Sequence, residues 1–254
     1  MILQVNDLVM QFGGLAAVNH VSFEVPDKTI CALIGPNGAG KTTIFNMISG
    51  ALVPTSGKVV LEEKEIQGLL PYKINNLGIA RTYQNINLFR SMTVLENVMV
   101  GMHSRLHSNF WSSLFHLPGE RREEREMMEK CLHLIEYVGL KDRVHDVSRN
   151  LSYGNQRLLE IGRALASSPS LLLLDEPAAG MNTTEKRTLS ALIRKIQHDY
   201  QMTILLVEHE MRLVMEVAEN IFVLNFGEKI AEGTPDEIQS NEAVITAYLG
   251  GGKK

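Results

Sequence analysis

The feature that most constrains this chain is a glycine-rich turn between an apolar strand and an amphipathic segment. The apolar residues Ile30–Ile34 lead into Gly35, and the pattern G-x-x-x-x-G-K-[ST] ends at Thr42. Such a loop curls its backbone N–H groups around phosphate oxygens, which requires backbone conformations that a Cβ would obstruct. An incidental glycine turn is the alternative, but strand, loop and helix occur in the order that the motif demands. The sequence therefore predicts a site for a nucleoside triphosphate.

Two side chains of this loop have specific predicted roles. Lys41 would reach the β- and γ-phosphates, and the hydroxyl of Thr42 would ligate Mg²⁺. The helix that begins here would direct its free N-terminal amides toward the same phosphates. The predicted nucleotide-binding residues of the loop are Gly35, Pro36, Asn37, Gly38, Ala39, Gly40, Lys41, Thr42 and Thr43.

Composition and charge are those of an ordinary globular protein. The chain has 254 residues, 44% of them hydrophobic and 21% charged, enough for one large α/β domain or one domain with a subdomain. A formal net charge of −4 argues against a nucleic-acid partner, which favours a basic surface. The same charge means that an anionic nucleotide must be captured by local groups.

Cysteine usage and hydropathy bear on the compartment. Cys31 and Cys131 are predicted to be small core residues, and the absence of a disulfide framework favours a reducing compartment. The N-terminus lacks the basic and apolar regions of a signal peptide, and no apolar run approaches the length that crosses a bilayer. We therefore expect any membrane role to be peripheral, through a partner.

Apolar patterning predicts an alternation of strands and helices that is interrupted by a helical insertion over about 85–160. Capping boxes at Thr93 and Thr234 mark two helix starts, and Gly50 is predicted to end the helix after the phosphate loop. The last helix is expected to end at Gly250. Strands are predicted at 2–8, 18–25, 29–34, 58–61, 77–83, 171–174, 203–207 and 221–224. Helices are predicted at 185–200 and 211–219.

Two acids follow the leucine-rich strand 171–174 directly. Carboxylates cannot lie unpaired in a core, and ligands of open α/β sheets bind at the carboxyl ends of the strands. Asp175 is therefore predicted to belong to the Mg²⁺ shell, and Glu176 to act as the general base or polariser for an attacking water. The alternative is a helix cap at Asp175 followed by a surface glutamate.

A second segment, Leu151-Ser152-Tyr153-Gly154-Asn155-Gln156, precedes another amphipathic helix. Ser152 could be a plain N-cap. It could equally begin an anion-binding helix terminus at which Gly154 admits a phosphate close to the backbone. The residues alone do not decide between these interpretations.

Taken together, these motifs and their order identify a resemblance. The phosphate loop, Gln84, the Leu-Ser-x-Gly-x-Gln segment, Leu-Leu-Leu-Leu-Asp-Glu-Pro and Val207-Glu208-His209 occur in one series. That series resembles the ATP-binding subunits of ATP-binding-cassette (ABC) transporters over nearly the whole chain. The resemblance implies a single ABC-type nucleotide-binding domain over 1–254, with a P-loop NTPase (RecA-like) α/β core. It also implies an N-terminal antiparallel β subdomain and an inserted α-helical subdomain.

The same resemblance implies roles for individual residues in an ATPase that uses Mg²⁺. Gln84 would sense Mg²⁺ and the attacking water, His209 would contact the γ-phosphate, and Phe12 would stack on adenine. Ser152 and Gly154 would bind the γ-phosphate held by a second cassette, so that ATP joins a head-to-tail dimer. Considered alone, Gln84 could simply end a strand, His209 could be a structural hydrogen-bonding residue, and Phe12 could be a core residue.

Three positions depart from the family pattern. Tyr153 and Asn155 stand where the signature has glycine and glutamine, whereas the phosphate-contacting positions are retained. The loop after Pro177 ends at Asn182, where the family usually has aspartate. An amide keeps hydrogen bonding across the dimer but loses a charge, so communication between subunits is expected to differ.

A closer resemblance is to the ATP-binding subunits of branched-chain (hydrophobic) amino acid importers. It implies import powered through two transmembrane permease subunits, a second ATP-binding subunit that is identical or related, and an external substrate-binding protein. The chain would then lie at the cytoplasmic face of the inner membrane. The segments that carry this resemblance are 12–15, 81–85, 151–154, 176–182, 232–235 and 247–250.

The segment between Gln84 and Trp111 has apolar residues without charged neighbours, and we expect it either to contact the permease or to pack the insertion. Other functional classes lack their own signals. No long coiled coil or tandem cassette suggests DNA repair or translation, and no guanine-specifying motif suggests a GTPase. A lipopolysaccharide-export ATPase is the alternative within transporters.

Overall fold

The computed structural model of the protein describes residues 1–102 and 118–249. Contacts divide the chain into two compact units, Met1–Gln84 with Ser170–Lys254, and Asn85–Pro169. The second unit contains the interval of about 85–160 over which the sequence predicts a helical insertion. In the described part of the chain, no helix combines the length and apolarity needed to cross a membrane.

The first unit begins with an antiparallel sheet of order β2-β1-β4-β5. Its strands are β1 (Leu3–Phe12), β2 (Leu15–Val25), β4 (Ser56–Leu61) and β5 (Lys64–Glu65). β1 and β2 are longer than predicted because Gly13 and Gly14 make a tight turn at which Phe12 pairs directly with Leu15. Register shifts along this hairpin break the strict alternation of apolar residues, which is why the pattern predicted shorter strands.

A second sheet of the first unit has the order β10-β9-β3-β8-β7-β6. Its strands are β3 (Ile30–Ile34), β6 (Ile79–Arg81), β7 (Leu171–Asp175), β8 (Thr203–Val207), β9 (Asn220–Asn225) and β10 (Glu228–Gly233). Neighbouring strands are parallel except for the antiparallel pair β9 and β10. Every residue of β3, β7 and β8 is buried, as expected for parallel strands that are covered on both faces. The carboxyl ends of β3, β6, β7 and β8 therefore meet at one edge.

The helices connect these strands and form most of the second unit. In chain order they are α1 (Lys41–Ile48), α2 (Pro71–Asn76), α3 (Val94–Met102), α4 (Pro118–Tyr137), α5 (Tyr153–Ala166), α6 (Thr183–Tyr200), α7 (Met211–Val217), α8 (Pro235–Ser240) and α9 (Glu242–Leu249). The two sheets and α1 share one hydrophobic core, in which Phe23 and Phe222 have ring centroids 4.6 Å apart.

Several local predictions are confirmed. Both capping boxes form, since Thr93 exchanges hydrogen bonds with Glu96 and Thr234 with Glu237. Gly50 follows the end of α1 with a φ of 76°. Both cysteines are buried. The predicted helix end at Gly250 lies outside the described residues.

Other local predictions are wrong. The strand expected over 77–83 is limited to β6, because Leu77 and Gly78 close α2 and Gly78 has a φ of 107°. The sequence pattern also missed α2, β5 and β10. β10 is an edge strand in which three of the six residues are charged and none is fully buried, so it lacks the apolar run that reveals the central strands.

Within the second unit, α3 and α5 pack closely through small residues. A Cβ at Gly101 would lie 2.2 Å from the carbonyl oxygen of Arg163, so the two backbones can approach only at a glycine. A fully buried ion pair joins Arg157 and Glu160 of α5 at 2.6 Å. These contacts fix α5, whose N-terminus carries the Leu-Ser-x-Gly-x-Gln segment.

Candidate active site

The glycine-rich loop connects β3 to α1 in the first unit and is shaped by its glycines. Gly35 and Gly40 have φ values of 152° and 102°. Added Cβ atoms at these positions would lie 2.2 Å from the Leu224 carbonyl oxygen and 2.6 Å from the Ala17 carbonyl oxygen. Only glycine therefore allows the loop to lie this close to β9 and β2.

Lys41 lies at the centre of this loop. Its Nζ donates hydrogen bonds to the carbonyl oxygens of Gly35 at 2.7 Å and Pro36 at 2.9 Å. Burial lowers the pKa of Lys41 below its ordinary value, and the carboxylates of Glu176 and Asp175 offset part of this effect. The ammonium group is thus held beneath the loop, where a phosphate enclosed by the loop would meet it.

A cavity of about 180 Å³ opens beside the loop. Its volume is below the roughly 300–1,000 Å³ of complete ligand pockets, so it can be at most the phosphate-binding part of a nucleotide site. Glu176 is the one carboxylate among the described residues that line it. The lining residues are Ala17, Asn37, Gly38, Ala39, Gly40, Lys41, Thr42, Thr43 and Glu176.

Asp175 ends β7 with a side chain that is only 3% exposed. Its Oδ2 accepts a hydrogen bond from Nη2 of Arg81 at 2.7 Å. Among the described residues, its Oδ1 has no hydrogen-bond partner. A buried oxygen of this kind needs an ion or a water to satisfy it, and the position therefore fits a ligand of a hydrated cation.

Arg81 is a site residue to which sequence reasoning gave no separate role. Its Nη1 donates to Asn46 Oδ1 at 2.8 Å and to Ser49 Oγ at 2.7 Å, while the guanidinium lies 5.0 Å from the ring centroid of Tyr83. Arg81 therefore connects α1 to Asp175. The sequence showed only an Arg-Thr-Tyr-Gln segment, and the partners of Arg81 depend on how β6 pairs with β7.

Two residues predicted from separate segments approach Glu176. Gln84 Nε2 donates a hydrogen bond to Glu176 Oε2 at 3.0 Å. His209 Nδ1 lies 3.5 Å from the same oxygen. The carboxylate is 16% exposed and lines the cavity beside Lys41. A water near this carboxylate would meet a proton acceptor and two orienting side chains.

Comparison with known proteins shows the family of the chain. The model of the ABC transporter family matches residues 18–179. The chain belongs to the ABC transporter family. A second model, the branched-chain amino acid ATP-binding cassette transporter, matches residues 228–254. The predicted family resemblance is thereby confirmed.

Curated relatives align over almost the full length of this ABC cassette. It is 48% identical to the high-affinity branched-chain amino acid transport ATP-binding protein BraF of Pseudomonas aeruginosa, covering 98% of each chain. It is 44% identical to LivG of Escherichia coli K12, which has the same description, again covering 98% of each chain. These relatives favour the branched-chain amino acid interpretation over lipopolysaccharide export.

The fold prediction is confirmed by solved structures. The cassette superimposes on the ADP conformation of MJ1267, an ATP-binding cassette of an ABC transporter, with a TM-score of 0.85 and 32% identity over 98% of each chain. A nucleotide-free ATP-binding cassette from an ABC transporter gives a TM-score of 0.82 at 32% identity, covering 97% of this chain and 98% of that one. The protein is an ABC-type ATPase with a P-loop NTPase fold, and membership implies adenine-nucleotide binding, membrane permease partners and dimerisation.

Phe12 lies at the end of β1 with 48% of its surface exposed. This exposure contradicts the alternative that Phe12 is a core residue. Ala17 of the adjoining β2 lines the phosphate cavity, which shows that the hairpin of Phe12 reaches this part of the cassette. Adenine stacking by Phe12 stays a prediction.

Ser152 caps α5 in the second unit, with its Oγ accepting the N–H of Asn155 at 3.3 Å. The N-cap interpretation is thus confirmed, and Gly154 is buried next to it in the first turn. Phosphate binding by Ser152 and Gly154 stays a prediction.

Asn182 also caps its helix, α6, by accepting the N–H groups of Thr184 and Glu185. Beyond residue 102, the segment between Gln84 and Trp111 lies outside the described residues.

Glu208 belongs to the Val-Glu-His motif of the sequence, which does not predict its structural role. Its side chain is fully buried directly after β8, and it accepts the N–H groups of Ala178, His209 and Glu210. Burial raises the pKa of Glu208, and these three hydrogen bonds act in the opposite direction. The run Glu208-His209-Glu210 after an apolar strand is the one sequence signal that could have drawn attention to it.

Proposed function

We propose that this cassette hydrolyses Mg·ATP at the cavity beside Glu176 to power the import of branched-chain amino acids. The observation that carries the proposal is that the carboxylate of Glu176 shares the cavity with Lys41 and is itself approached by Gln84 and His209. A chain that only bound nucleotide would not need a carboxylate, an amide and an imidazole placed together beside the phosphate loop.

In the proposed reaction Glu176 accepts the proton of the attacking water as the γ-phosphate is cleaved. Gln84, bonded to the same carboxylate oxygen, orients that water and the base together. Lys41 offsets negative charge on the β- and γ-phosphates, and His209, which lies beside Glu176, contacts the γ-phosphate.

Thr42, Gln84 and Asp175 would hold Mg²⁺. The unpartnered Oδ1 of Asp175 fits this role, since Mg²⁺ in nucleotide sites is bound by one or two protein groups together with water and phosphates. The ion supplies charge neutralisation of the phosphates when it is bound.

The remaining residues are proposed to act with partners. Phe12 stacks on adenine, and Ser152 with Gly154 contacts the γ-phosphate on a second cassette, so that ATP closes a dimer beneath two permease subunits. An external substrate-binding protein delivers the amino acid to the permease. The cassette is proposed to lie at the cytoplasmic face of the inner membrane without nucleic-acid partners. The names of the relatives and the exposed ring of Phe12 support this assignment.

Replacement Glu176→Gln tests the proposal because it removes the base and keeps the shape of the side chain. Hydrolysis should fall by about 10²-fold or more, while ATP affinity stays within about twofold of the wild type and the ATP-bound dimer accumulates. In cells whose native copy is replaced by the variant, uptake of labelled leucine should cease.

Glu216→Gln, on the exposed surface of α7, is the matched control and should leave both activities unchanged. Wild-type turnover by Glu176→Gln would refute the base assignment. Leucine uptake that persists while hydrolysis is lost would refute the transport assignment.

A further inference from the structure

A buried carboxylate links two segments that flank the proposed catalytic base. Glu208 follows β8 and has no exposed surface. Its Oε1 accepts the N–H of Ala178 at 2.8 Å, and its Oε2 accepts the N–H groups of His209 at 3.0 Å and Glu210 at 3.2 Å. One oxygen is thus bonded to the segment after Glu176, and the other to the segment that contains His209.

The segment after Glu176 needs such support because its backbone is strained. Glu176 has a φ of 45°, in the left-handed region that residues other than glycine, asparagine and aspartate rarely occupy. Strained residues persist only where the surrounding structure fixes them. Here hydrogen bonds lie on both sides, from the Glu176 N–H to the Val207 carbonyl oxygen at 2.9 Å and from the Ala178 N–H to Glu208.

A helix-capping role would not account for all of these contacts. α7 begins at Met211 and has Glu210 as its N-cap residue, so bonds to the N–H groups of His209 and Glu210 belong to the approach to this helix. The bond to Ala178 serves no helix. This bond joins the end of β8 to the end of β7. It is possible because one carboxylate oxygen accepts from Ala178 while the other accepts from His209 and Glu210.

The way in which the buried charge of Glu208 is compensated also indicates a specific role for this carboxylate. A buried carboxylate is costly unless hydrogen bonds or an opposite charge compensate for it. Among the described residues, His209 is the basic side chain within ion-pairing distance of Glu208. Its Nδ1 lies 3.9 Å from Oε2, and the imidazole is charged only when it is protonated. Three backbone N–H donors therefore do most of the compensation, and they require an acceptor with two oxygens.

We propose that Glu208 is a positioning residue for hydrolysis, which joins the Glu176 segment to the His209 segment and keeps the side chain of His209 beside that of Glu176. This inference rests on the proposed function of Glu176 and His209. Glu208 contacts neither nucleotide nor water in this account. It acts through the backbone of Ala178 and His209, so that displacement of one segment is transmitted to the other.

The variant Glu208→Gln tests this role with little change in shape. An amide offers one acceptor oxygen, and its NH₂ group would face an N–H donor, so one of the two segments must be released. Hydrogen exchange of backbone amides, measured by mass spectrometry on the full chain, should then be about tenfold faster over 177–181 and 208–212, with no change over α1. The value of kcat should fall about 10- to 100-fold, while KM for ATP stays within about twofold.

Glu210→Gln is the matched control because it lies two residues away and pairs instead with Lys186. It should retain wild-type kcat and amide protection over 177–181. Glu208→Asp is the second variant if the glutamine variant fails to fold. It keeps the charge but is one methylene shorter, so it should lose the contact to Ala178 and show the same fall in kcat.

Specific outcomes would overturn the proposal. Wild-type kcat in Glu208→Gln or Glu208→Asp would do so, as would faster exchange at 208–212 with full protection at 177–181, since that pattern describes a helix-approach role alone. Turnover retained by Glu176→Gln would instead refute the proposed function. An inactive Glu176→Gln together with a fully active Glu208→Gln would refute only the role of Glu208.

Discussion

Replacement of Arg81 by methionine should strongly destabilise the first unit even in the absence of nucleotide. The Arg81 and Asp175 side chains are 7% and 3% exposed, and their ion pair measures 2.7 Å. Methionine retains an apolar stem of similar length but has no donor. Both oxygens of the Asp175 carboxylate would then be buried without a partner from the described residues, because Oδ1 has none in the wild type.

The expected loss can be estimated from the groups left behind. Removing one partner of a buried ion pair costs about 3–5 kcal/mol, because a buried charge remains uncompensated. Asn46 and Ser49 also lose the donor that Arg81 supplies, which adds about 1–3 kcal/mol. A loss of about 4–8 kcal/mol is a large part of the total stability of a typical domain.

The same reasoning predicts that a second replacement restores stability. In the Arg81→Met background, Asp175→Asn removes the uncompensated charge, so the double variant should be more stable than Arg81→Met alone by about 2 kcal/mol or more. In the wild-type background, Asp175→Asn should be destabilising, because it weakens the bond to Arg81. Asp175→Asn should therefore raise the free energy of unfolding in the Arg81→Met background and lower it in the wild type, and this change of sign identifies the uncompensated charge.

Urea denaturation of the nucleotide-free full chain, followed by circular dichroism, measures these free energies. Arg212→Met on the exposed side of α7 serves as the control for loss of a positive charge. A change of less than about 1 kcal/mol for Arg81→Met would refute the reasoning. Further destabilisation of Arg81→Met by Asp175→Asn would refute it as well.

Two further predictions concern buried groups. Lys41→Ala should weaken ATP binding at least about tenfold, as measured with a fluorescent ATP analogue, or abolish turnover. Wild-type activity would contradict the phosphate-loop assignment. Burial raises the pKa of Cys31 and Cys131 to about 11, so at pH 8 only about one thiol in a thousand is ionised. Iodoacetamide should therefore label neither thiol in the native protein and both in urea, as judged by mass spectrometry, and rapid native labelling would disprove the assigned burial.

The central fold could be predicted because its local signals agree with its tertiary position. The strands β3, β7 and β8 are continuous apolar runs, and such runs suit a sheet that is covered on both faces. The elements that were missed have no such run. β10 is an edge strand, and β5 and α2 are short and largely exposed.

The candidate site could be predicted only in part. The end-of-strand position of Asp175 and Glu176 follows from the sequence, because charge cannot continue an apolar strand into the core. Gln84 and His209 came from the family resemblance, since neither residue has a local signal of its own. Their approach to Glu176 requires β6, β7 and β8 to be neighbours.

Arg81 and Glu208 were missed for the same physical reason. Charged residues are mostly exposed, so a single sequence favours a surface position for each. Their burial depends on partners distant in the chain, Asp175 for Arg81 and Ala178 for Glu208. No periodicity or spacing encodes those contacts.

The sheet order has a consequence for how the protein is synthesised. The strand that precedes the phosphate loop, β3, is flanked by β8 and β9, which leave the ribosome much later. A nascent chain that has emerged only to the end of the second unit has no neighbour for this strand and lacks the segment with His209. The ATPase therefore completes its fold late in translation, and truncated messenger RNAs yield fragments that lack a complete ATPase site.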